Sequence, residues 1–233
     1  MAPSVVHPEV IPVFPLTGSL LLPGNLLPLH IFEPRYRNMV EDVMNGDHLI
    51  GMVQPLVPRQ DNQLPIDEEA SPESLELSAE AEPELYEVGC MGQVEECKSL
   101  PGGRYAIGLL GLTRFRVMEE MPLQRGYRRV AVSLAEFSQD LVAQEPEEAP
   151  ENLLASLSAF GTRYDFSFDL ERLQTLPRMT LVNGLSMALP FAPAEKQALL
   201  EADFEERQKI LETLLAMGVD LEEALEPKVV DPN

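Results

Sequence analysis

Residues 28–44 read PLHIFEPRYRNMVEDVM, and this stretch turns from an apolar strand into an amphipathic helix. The strand is predicted over Leu26 to Phe32. In the helix, apolar side chains recur at the i, i+3, i+4, i+7 and i+8 spacing that places them on one buried face. These side chains are Tyr36, Met39, Val40, Val43 and Met44. A helix that follows a strand so closely is expected to pack against the sheet that contains the strand.

The two ends of this helix carry local signals. Pro34 is predicted in the first turn, where its missing N–H breaks no helical hydrogen bond. Gly46 is predicted to adopt the left-handed conformation that ends the helix. Strands are predicted on both sides: residues 11–16, whose two prolines favour a sheet edge or a bulge, and residues 48–53, which are short and apolar.

Strand periodicity continues further along the chain. Residues 86–94 and 104–110 are predicted to form a hairpin across a Pro-Gly-Gly turn, and residues 127–134 add another strand. Within LTRFRV, residues 112–117, the phenylalanine and valine are predicted to face one side of a strand and the two arginines the other. Six or seven strands joined mostly by short turns predict a closed or nearly closed antiparallel sheet.

Beyond residue 151 the apolar period changes from two to 3.6, which predicts a C-terminal helical bundle. Asp203 and Glu206 have the spacing of a capping box before its last helix. The predicted fold class is therefore α+β, a β-rich sheet with one packed helix followed by a bundle. The predicted organisation is an N-terminal arm at 1–10, a β-rich unit at 11–135 with an acidic mobile loop at 55–84, an acidic linker at 136–151, a helical bundle at 152–218 and a tail at 219–233.

The chain is strongly acidic, with 39 Asp and Glu residues against 17 Lys and Arg and a formal net charge of −22. Nucleic acids and anionic membranes are bound by clustered basic side chains, so neither is expected as a partner. The first ten residues lack the features of a targeting signal and no window is apolar enough to span a membrane, so a cytoplasmic protein is predicted. Cys90 and Cys97 cannot build a disulfide framework, and their odd spacing predicts opposite sides of one strand.

The sequence contains no catalytic constellation. The four lysines follow no glycine-rich loop of the phosphate-binding kind, and the three histidines and two cysteines lack the spacing of a metal site. No G-x-S-x-G motif occurs, and Ser186, which could in principle meet Lys196 in a dyad, is predicted inside a core helix. We therefore expect neither an enzyme nor a bound cofactor or metal.

Five segments, in this order, resemble the N-terminal domain of Lon-type ATP-dependent proteases, the substrate-recognition module of that family. They are IPVFPL, LLPG, LPLHIFEPRYRNMV, VGCMGQVEE and LPGGRYAIGLLGLTRFRV, and a helical continuation after residue 176 extends the resemblance over residues 11–218. The resemblance implies a PUA-like pseudo-barrel followed by a bundle, and a role in binding polypeptide substrates or docking to a protease or chaperone. It implies a stand-alone, non-enzymatic substrate-binding-domain protein, without the ATPase and protease domains that follow in Lon.

The strand-to-helix corner is the candidate polypeptide-binding site. Glu33 and Arg35 are predicted at the helix entrance, and Arg37, Asn38 and Glu41 on its outer face. Ordinary solvated side chains remain the alternative for all five. The ten methionines favour a promiscuous apolar surface. Two other functions stay open: a scaffold subunit with one dedicated protein partner, and a small-molecule site in the PUA-like sheet.

Overall fold

One long strand, β5 (Arg104–Gln124), organises the sheet in a computed structural model that describes residues 9–56, 83–142 and 147–218. Within those ranges the other strands are β1 (Val10–Pro15), β2 (Leu26–Ile31), β3 (Leu49–Val53), β4 (Val88–Leu100) and β6 (Tyr127–Ser133). Their order is β2-β5-β4-β3-β1-β6, and β6 pairs again with β5. Five strands therefore close a barrel, as predicted, and β2 is attached to its outside.

The prediction of an antiparallel sheet is wrong for one pair, because β1 and β3 run parallel, while the other strand pairs are antiparallel. The chain passes through β2 and a helix between these two strands, and such a crossover connection allows parallel pairing where a tight turn does not. The first part of β5 pairs with β2 and β4, and its last part pairs with β6. A single strand thus joins both halves of the sheet.

The inside of the barrel is filled by a small apolar cluster to which all five barrel strands contribute. Its buried members are Ile11, Val13, Val53, Leu85, Met91, Phe115 and Val130. A Cβ atom at Gly89 would lie 2.5 Å from Cζ of Phe115, so glycine is needed where the ring passes. Val117 packs against the same cluster, which confirms that it shares a side of β5 with Phe115.

A larger apolar cluster lies between the outside of the sheet and the helices. The helices are α1 (Pro34–Met44), a 3-10 helix (Ala135–Leu141), α2 (Glu151–Tyr164), α3 (Leu170–Leu173), α4 (Arg178–Ala188), α5 (Pro193–Glu201) and α6 (Phe204–Met217). The cluster takes side chains from the strands, from α1 and from the C-terminal helices alike. The segment beyond residue 151 is therefore helical, and it shares its core with the sheet.

The helix-start signal at Pro34 is confirmed, and of the predicted capping box the N-cap bond is confirmed. Pro34 lies in the first turn of α1, and the carboxylate of Asp203 caps α6 by accepting the N–H of Glu206 at 2.9 Å. The apolar face of α1 is buried as predicted, with Met44 half-buried at its end. The prediction for Gly46 is wrong, because the left-handed residue of this turn is His48, with a φ of 60°. The N–H of Gly46 donates to Val43 O at 3.0 Å, and the N–H of His48 donates to the same carbonyl at 3.1 Å. The left-handed turn therefore falls two residues after Gly46, at His48.

The prediction that Cys90 and Cys97 face opposite sides of a strand is also wrong. The register of β4 against β5 shifts between Val94 and Glu96. This bulge inserts one residue, so Cys97 returns to the side occupied by Cys90 and Val94. All three side chains contact the outer apolar cluster. Burial raises the pKa of both thiols.

Parts of four predicted segments lie outside the described residues: 1–8 of the arm, 57–82 of the acidic loop, 143–146 of the linker and the tail 219–233. At the base of the acidic loop, the N–H of Leu56 donates to Glu84 O at 2.7 Å. The described part of the linker includes the 3-10 helix, whose Phe137 is buried. In the described ranges, no helix combines the length and the apolar character that crossing a membrane requires.

Candidate functional site

The strand-to-helix corner lies between β2 and α1. Glu33 is the residue that precedes α1, and its carboxylate accepts a hydrogen bond from Nε of Arg35 at 3.0 Å. The guanidinium of Arg35 also lies 4.7 Å from the centre of the Tyr36 ring. The structure therefore brings two of the predicted residues, Glu33 and Arg35, into one ion pair at the helix entrance.

The outer face of α1 contacts the turn between β5 and β6. Nδ2 of Asn38 donates to the carbonyl of Arg125 at 2.9 Å, and the Arg125 guanidinium returns a bond to Asn38 Oδ1 at 3.1 Å. The same guanidinium pairs with Glu41 at 2.9 Å and Asp42 at 2.6 Å. Asn38 and Glu41, both predicted site residues, therefore anchor this turn to the helix.

Asp42 is the most highly coordinated carboxylate of this face. It accepts hydrogen bonds from Arg125, from the Gln124 amide at 3.2 Å and from the Tyr127 hydroxyl at 2.8 Å. Partial burial disfavours its charge, but the hydrogen bonds from Tyr127, Arg125 and Gln124 outweigh it and lower the pKa of Asp42. Burial, together with the bond to Asp42, raises the pKa of Tyr127 to about 12. No spacing in the sequence predicts this set, because its members lie more than eighty positions apart.

Arg37 takes a different direction from the other predicted residues. Its guanidinium lies against the turn between β4 and β5, where a Cβ atom at Gly103 would come within 3.0 Å of Nη2. The Nε atom of Arg37 is buried and has no hydrogen-bond partner in the parts of the chain that the structure describes. The corner is thus bordered by two turns of the sheet, one contacted by Arg37 and one by Asn38.

Two large apolar side chains of the segment 26–32 are exposed, one at the corner and one at the far end of β2. Phe32 is 60% exposed and Leu26 is 53% exposed. Leu29 and Ile31, which alternate with them, are buried in the outer cluster. The alternation of the strand is the sequence signal that could have identified these exposed side chains. Neither of them is among the five polar residues predicted from the sequence.

The C-terminal helices hold the loop that leads into β2. Nδ2 of Asn183, on α4, donates to the carbonyl of Pro23 at 3.1 Å. Asn183 is in turn fixed by Arg207 of α6, whose Nη1 donates to Asn183 Oδ1 at 2.8 Å. Arg207 is buried, and this burial, together with repulsion from Arg114, lowers the pKa of Arg207 to about 10. A buried polar chain therefore runs from α6 through α4 to the start of β2.

The groups considered for catalysis have structural contacts. The Ser186 hydroxyl donates to Val182 O of its own helix at 2.8 Å. Nζ of Lys196 donates to Gly18 O at 2.9 Å and to Met187 O at 3.2 Å. Both side chains are buried. In the described ranges, no three His, Cys, Asp or Glu side chains gather as a metal site would require.

Cavities in the described residues include two that lie away from the corner. One of about 370 Å³ lies near the base of the acidic loop, between Leu56, Tyr86 and Phe137, with Arg116 on its wall. Arg116 already pairs there with Glu87 and Glu136, each at 2.6 Å. The other, of about 400 Å³, is formed by α2 and the loop to α3. Neither cavity includes a residue of the corner.

Comparison with known proteins gives one consistent result. Residues 10–217 match the family model described as the ATP-dependent protease La (LON) substrate-binding domain. The chain is 24% identical over 208 residues to a Lon protease of Dictyoglomus thermophilum and 25% identical over 230 residues to Lon protease 2 of Sorangium cellulosum. The matches cover 89% and 92% of this chain and 23% and 25% of those relatives. The chain thus spans about a quarter of the length of these relatives.

Solved structures with similar folds agree with this match. A Lon N-terminal domain protein from Xanthomonas campestris aligns with a TM-score of 0.55 and 22% identity, over 89% of this chain and 97% of that one. The N-terminal domain of a Mycobacterium avium complex Lon protease aligns with a TM-score of 0.56 and 16% identity, over 89% and 98%. These likenesses establish the shared fold of a β-rich sheet with helices.

Proposed function

Because this chain belongs to the Lon substrate-binding-domain family, we propose that it is a non-catalytic module that binds exposed segments of other polypeptides at the strand-to-helix corner. The observation that carries the proposal is the exposure of Phe32 at this corner and of Leu26 at the other end of β2. Large aromatic and aliphatic side chains exposed along one strand mark a surface that other molecules cover. Glu33 and Arg35 supply charged groups beside Phe32.

The polar residues of the corner have two roles in this proposal. Glu33, Arg35 and Arg37 follow Phe32 closely in the chain, and the Glu33–Arg35 ion pair presents charge beside that ring to a bound segment. Asn38 and Glu41 hold the turn between β5 and β6 in place through Arg125. Such a fixed frame lowers the entropy cost of binding, since the surface does not need to be ordered first.

The C-terminal helices act as a supporting bundle in the same proposal. The buried chain from Arg207 through Asn183 to Pro23 fixes the loop before β2, and so the position of Leu26. Loss of this support is expected to weaken polypeptide binding without removing any surface residue. The bundle therefore contributes to binding through the geometry of the strand.

A direct test uses a reduced and carboxymethylated model protein, labelled with a fluorophore, and measures its binding by anisotropy. Phe32→Ser and Leu26→Ser should each weaken binding about tenfold, because each removes much of the buried apolar contact. Arg35→Ala should weaken it by a smaller factor. Met217→Ser is the matched control, since Met217 is 73% exposed at the end of α6, outside the corner.

The alternative of a scaffold with one dedicated partner gives a different result. A scaffold would bind one protein from its own cells stoichiometrically and would ignore unfolded model proteins of unrelated sequence. If the wild-type protein fails to bind any unfolded model protein, or if Phe32→Ser and Met217→Ser bind equally well, the proposal of a corner site is wrong.

A further inference from the structure

The strand β2 has one paired edge and one open edge. It lies at the end of the sheet order and pairs only with β5 in the described part of the chain. Just before β2, the N–H of Gly111 on β5 donates to Asn25 O, and Gly111 O accepts the N–H of Gly24. The backbone N–H and C=O groups of successive residues point alternately to the two edges of a strand. Those of Leu27, Leu29 and Ile31 therefore point toward β5.

The residues between them therefore direct their backbone groups to the open edge. These are Leu26, Pro28 and His30, which together offer three carbonyl acceptors and two N–H donors. Among the described residues, no backbone hydrogen bond outside the helices and the sheet engages any of the three. An exposed row of this kind is a template for one more strand.

The side chains beside this edge form a shallow apolar strip. Leu26, Pro28 and His30 are exposed on the face of β2 opposite the outer apolar cluster, and Phe32 extends the row. The residues of β5 that pair with the middle of this row are small: Gly108 lies opposite Pro28, and Ala106 lies opposite His30. An added strand would place alternate side chains beside this row, between Leu26 at one end and Phe32 at the other.

We propose that β2 binds an extended polypeptide segment, in which apolar residues alternate with lysine or arginine, as an additional strand of the sheet. This inference rests on the proposed function and specifies its ligand. The net charge of −22 favours a basic segment and repels a second copy of this chain. Residues 26–32 extend over about 23 Å as a strand, which corresponds to a partner segment of about seven residues.

The probe is a fluorescein-labelled peptide of seven residues that alternates valine and lysine. The wild-type protein should bind it, and a peptide with glutamate in place of lysine should bind at least about tenfold more weakly. A third peptide, N-methylated at alternate amides to remove the donors of one edge, should also lose about tenfold, because side-chain contacts alone cannot replace the strand pairing. This comparison leaves the protein unchanged, so it is independent of any effect on folding.

On the protein side, the matched variants are His30→Pro and His30→Thr. His30→Pro removes one outward N–H from an edge strand, where proline is tolerated, and His30→Thr retains it. Binding should fall about tenfold in the first and change less than about twofold in the second. Amide hydrogen exchange should slow on peptide addition at Leu26 and His30, and remain unchanged at Leu27 and Leu29, whose N–H groups are already paired with β5.

Equal binding of the methylated and unmethylated peptides would overturn the inference, as would unchanged exchange at Leu26 and His30. Protection of those two amides without peptide, accompanied by a dimer in sedimentation, would overturn it in favour of a second copy. If His30→Pro still binds the unfolded model protein while Phe32→Ser does not, the corner site stands and strand addition fails. If the wild-type protein binds neither probe, both fail.

Discussion

Arg114→Met removes a buried guanidinium that joins the barrel to the C-terminal helices. Nε and Nη2 of Arg114 donate to the two carboxylate oxygens of Asp140 at 2.9 Å each, and Nη1 donates to Leu200 O at 3.1 Å and to Glu201 O at 3.3 Å. The side chains of Arg114 and Asp140 are 8% and 11% exposed. Nη1 also donates to Ala202 O at 2.6 Å. Methionine would leave the carboxylate largely desolvated without its cation, and three carbonyls at the end of α5 without this donor.

The expected loss of unfolding free energy depends on which hydrogen bonds the Arg114→Met variant retains. Removing one partner of a buried ion pair costs about 3–5 kcal/mol. The backbone N–H of Arg114 still donates to Asp140 at 2.9 Å, so the carboxylate keeps one donor. The lower end of the range, about 3 kcal/mol, is therefore expected. In a chain of this size each kcal/mol lowers the melting temperature by about 2–4 °C, which predicts a fall of about 6–12 °C.

Urea denaturation followed by circular dichroism measures the change, and a double-mutant cycle with Asp140→Leu isolates the pair. The loss of unfolding free energy in the double variant should be about 2 kcal/mol smaller than the sum of the losses in the two single variants, because neither charge is then buried alone. Arg116→Met is the matched control on the same strand, since its ion pairs are exposed and are worth about 1 kcal/mol or less. An additive cycle, or equal losses in Arg114→Met and Arg116→Met, would refute the reasoning.

Three other groups give measurable outcomes. Because hydrogen bonds lower the pKa of Asp42 in the folded state, its contribution to stability is full above the ordinary value of 3.8 and disappears as the pH falls through the folded-state pKa. The difference in unfolding free energy between wild type and Asp42→Asn should shrink accordingly in urea titrations, and a gap that is independent of pH would contradict this. Gly89→Ala should lower the free energy of unfolding by about 1–3 kcal/mol, because the added carbon would lie 2.5 Å from the Phe115 ring. In Gly108→Ala the nearest atom would be 3.4 Å away, so a thermal melt should show little change for this control. Cys97 should react slowly with a maleimide in the folded protein and Cys90 only after unfolding, as mass spectrometry of the labelled sites can show.

The features that the sequence predicts well are encoded within a few residues. The buried face of α1 follows from spacing within eleven positions, and Pro34 and Asp203 start their helices through contacts three or four residues away. The closed sheet was also predictable, because short turns between alternating strands leave few other arrangements. In each case, the signal and the structure it specifies occupy the same short stretch.

The features that were not predicted depend on distant parts of the chain. The alternation in LTRFRV correctly places Arg114 outside the barrel interior, but it cannot reveal that α5 and Asp140 then cover the guanidinium. The corner residue Asn38 meets Arg125 at a separation of 87 positions. The bulge near Glu96 shifts one strand against another and so reverses the side of Cys97. Tertiary contacts of this kind leave no periodic trace in the sequence.

The composition of β2 limits which strands can pair with its open edge. Unpaired edges invite indiscriminate pairing, and natural sheets limit it with proline or charge. In β2, Pro28 removes one outward donor, and the net charge of −22 opposes the approach of a second copy. Neither feature blocks a basic strand, because three carbonyls and the N–H groups of Leu26 and His30 still face outward. Replacing Pro28 by valine would restore the missing donor, so it should strengthen binding of the valine-lysine peptide, and a weaker complex would show that the open edge is not the binding surface.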